Sequence, residues 1–541
     1  MTAPETSAPD RHIPVCYDEH GEPSWHSTTS PPDSSYGVCN MVADRVIPVI
    51  FVPGVMGSNL KSKSGKGLSW RLDSDATMLP WATRGAATRK ANLTPQAMVV
   101  DDGGKISVGS LHDAAHLKMR GWGEVGYTSY GEFLTWLEHN LNDVDNAKAG
   151  GRHQLIARNL HAAKGEYALT KDEVALSYRY RFPVWACGYN WLDDNGESSL
   201  LLQKRITQAI AYYTKKKLKC EKVIIVTHSM GGLVARHCSE VLGQDARIFG
   251  IVHGVMPAIG AAAVYRRAKS GTRSSGGITG ALASAVLGRT AAEMTAVFST
   301  APGPMQLLPT AEYGSGWLRI KVDGQDIQLP KGRDPYSEIY AVRGKWWSLC
   351  DDQLMNPLND APVRSPGYKS TMGADWNNYV NMIKRKVKPF HESVANKYHV
   401  TTYAFYADSK DHLAYGNVTW LGKGGLGDSW LSGGRLSDPL DAKDWDHDQV
   451  SNRRTIAAPL RGDGWRKSVV QNYVISDPEE PGDGTVPERS GKAPERQASS
   501  ILTVSTDHEA AFRECEAGRL FTLRAIVKIA QAVKTTSLAY T

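Results

Sequence analysis

The sequence has no unbroken apolar run of the about 18 residues that a membrane-crossing helix requires, so no such helix is expected. Its beginning, Met1-Thr-Ala-Pro-Glu-Thr-Ser-Ala-Pro-Asp10, lacks both the charged start and the apolar core of a secretory leader. A chain made in the cytoplasm without a leader is the expectation. Cysteine is scarce, seven in 541 residues at scattered positions, which excludes a disulfide framework and the close spacing of a zinc site. Free thiols are expected, with Cys16 and Cys39 the pair able to bridge in an oxidising compartment. The excess of basic over acidic residues is small, 63 against 56, or net +7. No basic run interleaves with aromatics, so nucleic acid is not expected as a partner; the slight positive balance reads as a solvated surface of mixed sign, with attraction to an anionic membrane surface the alternative. No internal repeat is present.

What the chain does have is apolar substance: 41% hydrophobic residues and 15 tryptophans, enough for an ample core. The length suits several domains or one fold enlarged by insertions. Residues 1–44 are polar and rich in proline and serine, and read as an N-terminal arm. Apolar strand runs stand at Arg45–Val52, Phe182–Tyr189, Val223–Val226, Ala246–Val252, Val400–Tyr406, Ser468–Ile475 and Ile501–Ser505. Helical spacing marks Tyr127–Leu141, Leu200–Leu218 with its lysine-rich end, the stretch after Ser229 to about Leu242, and about Ala510 to Val533. Strands alternating with helices predict an α/β fold, a mostly parallel sheet covered on both faces. The expected core is 45–60, 121–257, 400–407 and 466–541. Residues 61–120 read as an insertion, and 258–399 and 408–465 as cap or lid insertions.

One stretch carries chemistry. Val223-Ile-Ile-Val-Thr-His-Ser229-Met-Gly-Gly-Leu-Val-Ala-Arg236 is a buried strand, a sharp turn and the opening of a helix. Such an elbow holds a serine hydroxyl out as a nucleophile where bulky neighbours do not fit. It departs from G-x-S-x-G in one place, Thr227 standing where the first glycine is usual. A serine hydroxyl needs an imidazole to take its proton, and the imidazole needs a carboxylate on its far nitrogen. In the α/β-hydrolase arrangement the acid and then the histidine follow the serine. Asp483, in Gly482-Asp-Gly484, and His508, just past the last strand, occupy those places. Asp483 also suits a simple turn-forming role. Asp408 and Asp477 are rival acids, and His412, His447 and His253 rival bases, though none of these histidines follows the last strand. His228 is expected to pack near the elbow. Main-chain donors for a developing oxyanion are expected at Met230, after the serine, and at Val55 in Pro53-Gly-Val-Met-Gly57, where the two glycines permit the bend. This chemistry calls for no cofactor and no metal. The cluster Asp444-Trp-Asp-His-Asp448 offers oxygens to calcium but lacks a glycine-turned loop of defined spacing, so a solvated acidic turn is the expectation.

Phe51-Val-Pro-Gly-Val-Met-Gly-Ser-Asn-Leu60, Thr227-His-Ser-Met-Gly-Gly-Leu-Val-Ala-Arg236 and Gly482-Asp-Gly-Thr-Val-Pro487, in this order, resemble the lecithin:cholesterol acyltransferase-like lipases. Gly303-Pro-Met-Gln-Leu-Leu-Pro309 resembles a further segment of that family. The resemblance covers roughly 45–60, 125–310 and 400–535, and leaves 61–120 and 310–400 unmatched. It implies an α/β-hydrolase fold with Ser229, Asp483 and His508 as catalytic triad and Val55 and Met230 as oxyanion donors. A narrower resemblance is to the antibacterial lipase effectors of type VI secretion. It implies export by that apparatus, action on a rival cell's membrane from the periplasm, and an immunity protein that blocks the site.

The insertions bear on the substrate. Between Ile259 and Val400 lie roughly 140 residues, and between Ala407 and Val469 about 60, more than ordinary loops hold. Ile278–Phe298 is low in charge and reads as a helix suited to a membrane interface. Trp346, Trp347, Trp420, Trp430 and Trp445 either anchor at a headgroup layer or pack the cap. The function expected is hydrolysis of lipid carboxylic esters, by a phospholipase A or lipase. The alternatives are an esterase, thioesterase or acyltransferase acting on non-membrane acyl groups, and an idle scaffold that only binds.

Overall fold

The computed structural model describes residues 11–27, 36–107, 111–144, 149–272, 288–322, 324–358, 371–422, 438–447, 452–460 and 464–540. Six strands form one parallel sheet: β1 (Val49–Val52), β2 (Val184–Ala186), β3 (Val223–His228), β4 (Ile248–Gly254), β5 (Thr402–Ala407) and β6 (Ser500–Val504), in the order β6-β5-β4-β3-β1-β2. A parallel sheet needs long crossovers, and the helices that make them cover both faces, so its strands read as continuous apolar runs. β3 shows this, with every one of its residues buried. Val223 and Ile225 face one layer, with Leu202 and Ile206 of α2 (Asn195–Lys215) and Leu233 of α3 (Gly231–Glu240). Ile224 and Val226 face the other, with Phe133 and Leu137 of α1 (Tyr127–Leu141) and Ile526 of α6 (Glu516–Ala530). Burying each such side chain contributes roughly 1.5–3 kcal/mol. In α2 the Asp194 carboxylate caps the first turn by accepting from the Gly196 amide, and Lys215 lies in the last turn, where the dipole favours a cation. The architecture is the α/β-hydrolase fold.

A second six-stranded sheet runs in the order 325–329, 318–322, 418–422, 464–475, 453–460, 443–447. It is antiparallel except where Leu318–Val322 meets Val418–Gly422. Ser468–Ile475, expected as a strand of the core, belongs here instead: it pairs with Arg453–Leu460 and Val418–Gly422. Its apolar residues mark a strand without naming the neighbours it pairs with. Trp346, Trp347 and Trp420 are buried against this sheet, with the Trp346 and Trp420 rings 5.3 Å apart edge to face. They pack the insertion and do not face outward. Trp430 and the side chain of Trp445 lie outside the described residues, as do the side chains of the Asp444–Asp448 cluster.

The described residues of the 61–120 stretch hold three short helices, Asp75–Ala82, Ala86–Asn92 and Ala114–Met119, and a small ladder between Leu60–Ser62 and Met98–Val100. The stretch is knitted in by Trp70, whose ring stacks edge-on against Trp191 at 5.1 Å. Of the expected helix Ile278–Phe298, residues 278–287 lie outside the described residues; the helix present is α5 (Ala291–Phe298), capped by the Thr290 hydroxyl. It follows α4 (Ala263–Ser270) and packs against Ala86–Asn92. Residues 11–27 form small ladders, and Lys216 at the end of α2 holds Glu22 at 2.6 Å. All seven cysteines are free thiols, Cys16 and Cys39 among them. Among the described residues no helix is long and apolar enough to cross a membrane.

Candidate active site

β3 delivers its chain into a turn so tight that Ser229 adopts a left-handed φ of 51°. The Ser229 amide donates to the Gly254 carbonyl at the end of β4 (2.9 Å), which pins the elbow to the neighbouring strand. Gly231 follows because nothing larger fits: a Cβ there would stand 2.4 Å from the Val52 carbonyl oxygen. Thr227, the departure from glycine, sits fully buried with its hydroxyl 2.9 Å from Nδ1 of His253, its register partner on β4. A side chain is accommodated because a polar partner waits for it. This places the rival base His253 behind the elbow, where burial pushes its pKa down to about 3.

His508 lies just past β6, and Asp483 in the loop after Glu480–Gly482. The structure brings both to Ser229. His508 Nε2 is 2.9 Å from the Ser229 hydroxyl, and His508 Nδ1 is 2.6 Å from Asp483 Oδ2. A carboxylate only accepts, so Nδ1 carries the proton and leaves Nε2 a lone pair for the serine hydroxyl. The geometry of Asp483 suits both roles considered for it. Its Oδ1 accepts from the amides of Thr485 (2.9 Å) and Val486 (2.6 Å), which forms the turn, while Oδ2 faces the imidazole. The His508 amide donates to the Asp483 carbonyl (2.9 Å), so acid and base are locked by main chain as well.

The rivals stand apart. Asp408 and Asp477 are exposed, and the His412 ring faces Asp507 at 4.0 Å. The side chain of His447 lies outside the described residues.

The loop after β1 folds into a turn closed by the Gly57 amide on the Gly54 carbonyl (3.0 Å), and the Trp70 indole N–H holds its Met56 carbonyl (2.9 Å). The left-handed residue of this turn is Met56 (φ 63°), not one of the glycines expected to supply the bend. Among the described residues nothing accepts a hydrogen bond from the amides of Val55 or Met230. Met230 opens α3, so its amide also carries the positive end of that helix. Beside the turn, Met56, Trp70, Trp191, Met294 and Phe298, with the Arg89–Glu293 ion pair, line a cavity of about 10 Å³, space for about one water. Ser229 itself is only 2% exposed, so this is a covered site.

Two residues near the triad were not singled out from the sequence as site residues. Tyr130 was read only as an apolar position of a helix, and His228 only as packing. His228 lies between Tyr130 and His508, hydrogen-bonded to both, and burial, with the neighbouring His508 second, pushes its pKa down to about 3. The signal for Tyr130 was its hydroxyl: a polar tip on an apolar helix face requires a buried partner.

No protein-family model matches the sequence, and no curated protein matches it. Among solved structures, the crystal structure of the Tle4–Tli4 complex contains a chain 26% identical to this one with a TM-score of 0.72. The match covers 90% of this chain and 98% of that one, so it takes in much of the insertions as well as the parallel sheet. The chain thus has the α/β-hydrolase fold and is similar, over nine-tenths of its length, to a protein of the Tle4–Tli4 complex.

Proposed function

We propose that the chain is a serine hydrolase of lipid carboxylic esters, a phospholipase A or lipase. The observation that carries this reading is the unbroken line from Asp483 through His508 to Ser229, at 2.6 and 2.9 Å. The Ser229 hydroxyl attacks the ester carbonyl as its proton passes to His508 Nε2. Asp483 holds the imidazole in the right tautomer and stabilises the imidazolium. The carbonyl oxygen, turned anionic, receives the amides of Val55 and Met230. His508 then returns the proton to the departing alcohol, and water cleaves the acyl-enzyme by the same route in reverse. No metal or cofactor enters these steps.

The lipid class is supported by the resemblance of Phe51–Leu60, Thr227–Arg236 and Gly482–Pro487 to lipase motifs. Likeness to a member of a two-protein complex, together with the resemblance to type VI lipase effectors, supports a secreted toxin. It would be exported to a rival cell's periplasm and be held in check by a partner protein in the producer.

The test is a pair of assays on the purified chain: phospholipid vesicles, with released fatty acid and lysolipid identified by mass, and short soluble esters. Fatty-acid release from vesicles well above the rate on soluble esters is expected. Turnover confined to soluble esters or thioesters would make it an esterase instead, and acyl groups recovered on an added alcohol would make it a transferase.

A further inference from the structure

Beneath the elbow runs a chain of hydrogen bonds that the triad does not use. The Gly54 amide donates to the Tyr130 hydroxyl oxygen (3.2 Å), the Tyr130 hydroxyl donates to His228 Nδ1 (2.8 Å), and His228 Nε2–H donates to the main-chain carbonyl of His508 (2.9 Å). The two ends dictate these directions. An amide only donates and a carbonyl only accepts, so the hydroxyl and imidazole between them relay polarity in a single sense. His228 manages this only as a neutral ring with its proton on Nε2. The burial that lowers its affinity for a second proton keeps it in that form.

Packing agrees with the hydrogen bonds. A Cβ on Gly54 would stand 2.8 Å from His228 Nδ1 and 3.1 Å from Ser229 Cβ, and one on Gly57 would stand 2.8 Å from the Tyr130 hydroxyl oxygen. The oxyanion turn is therefore seated directly on these two rings, and its glycines serve close approach. His508 is gripped from two sides, its amide by the Asp483 carbonyl and its carbonyl by His228. His228 is also the residue before Ser229. The parts of the site that must agree in position come from distant stretches of chain: the donor turn at Gly54–Gly57, the nucleophile at Ser229 and the base at His508. They share this one anchor.

Resting on the reading of Ser229 as nucleophile, we infer that Tyr130 and His228 are positioning residues that tie the oxyanion turn to the main chain of the base. Neither touches the reacting atoms. They act by holding donors and base in register, where a displacement of about 1 Å is costly. Losing Tyr130 frees the turn to tilt; losing His228 frees both the turn and the carbonyl of His508.

A double-mutant cycle tests this on the full chain: wild type, Tyr130→Phe, His228→Gln and the double variant. Each is measured for kcat and KM of ester hydrolysis, thermal unfolding, and labelling by a fluorophosphonate probe. Glutamine retains an N–H for the His508 carbonyl while ending the link to Tyr130. Each single change is expected to lower kcat about 10- to 100-fold, with KM within about twofold, somewhat less than removal of an oxyanion donor itself. The double variant should be no more than about threefold worse than the poorer single, because both changes break one chain. Tyr130→Phe deletes a single oxygen atom and decides the matter alone should His228→Gln not fold. A folded Tyr130→Phe protein with kcat within twofold of wild type overturns the inference, and so do two single effects that simply multiply. A wild-type chain with no Ser229-dependent turnover or labelling overturns the parent reading and this one together. Normal Ser229-dependent turnover indifferent to Tyr130 overturns only this one.

Discussion

The parallel sheet β1–β6 and the sheet assembled from residues 318–475 have six strands each, yet of the two only the first has candidate catalytic groups at its described strand ends, Asp483 hanging from a separate ladder. Ser229 follows β3, the oxyanion turn follows β1 and His508 follows β6. The second sheet contributes none of the candidate residues, and its Trp420 and Tyr473 side chains are buried. Parallel strands all point one way, so their carboxyl ends gather at one edge and a few short loops meet there. In the antiparallel sheet neighbouring ends alternate between opposite edges. The candidate site gathers at the edge of the first sheet, while the second packs its aromatic residues within the insertions.

Four experiments break or sharpen this contrast. Ser229→Ala should lower kcat about a millionfold while leaving the melting temperature in place, since the change removes one atom at the elbow; unchanged hydrolysis would dismiss the parallel-sheet edge as the reacting site. Asp483→Asn should cost about four decades in kcat, because the amide favours the wrong imidazole tautomer, while Asp408→Asn at the exposed end of β5 should cost almost nothing. The reverse ranking would move the acid from the Gly482–Gly484 loop to the sheet.

Trp420→Ala, in the second sheet, should destabilise by about 3–5 kcal/mol, since the ring is fully buried and its N–H donates to the Tyr265 hydroxyl (3.1 Å). Denaturant unfolding measures this. Fluorophosphonate labelling of the protein that remains folded should keep its rate, and a collapse of labelling would make the second sheet part of the site.

The fourth test is acidic. Burial depresses the pKa of His228 and His253 to about 3 and of His391 to about 4, from an ordinary 6.5. Between those values the unfolded chain binds more protons than the folded one, so stability is full above about pH 6.5 and falls as pH drops. Well below 6.5 the loss approaches about 1.4 kcal/mol per pH unit for each histidine. Unfolding free energies measured from pH 7 to pH 5 should therefore slope downward toward acid, and a flat profile would contradict the burial of these rings. Two of the three belong to the elbow region, so hydrogen exchange at pH 5 should loosen β3 and β4 before the second sheet.

How much of this was readable in the residues divides along the same line. Val223–Val226 announces a doubly buried strand because all its residues are apolar, and Tyr127–Leu141 shows its helical face so plainly that the observed bounds are the same. The order of Ser229, Asp483 and His508 carried their placement because loops at one sheet edge converge. Ser468–Ile475 was readable as a strand but not as to its partner, since its apolar residues mark a strand and not a neighbour. The 61–120 insertion was opaque because its helices are short: six to eight residues show too few turns for a period. Nothing local to Tyr130 names His228, which lies 98 residues away, as the acceptor of its proton.

Asp483 hangs from a two-stranded ladder belonging to neither large sheet: Ser409–Ala414 against Glu480–Gly482, reinforced by the Gly484 amide on the His412 carbonyl (2.9 Å). One rail of that ladder leaves β5 and the other returns from the second sheet, so the insertion and the acid share a single hinge of backbone. Residues 415–479 can be trimmed to a short linker with both rails left in the chain, because Ala414 stands opposite Glu480 and the linker would close a hairpin there. A cut that enters 409–414 or 480–482 would instead unseat the loop that presents Asp483 to His508.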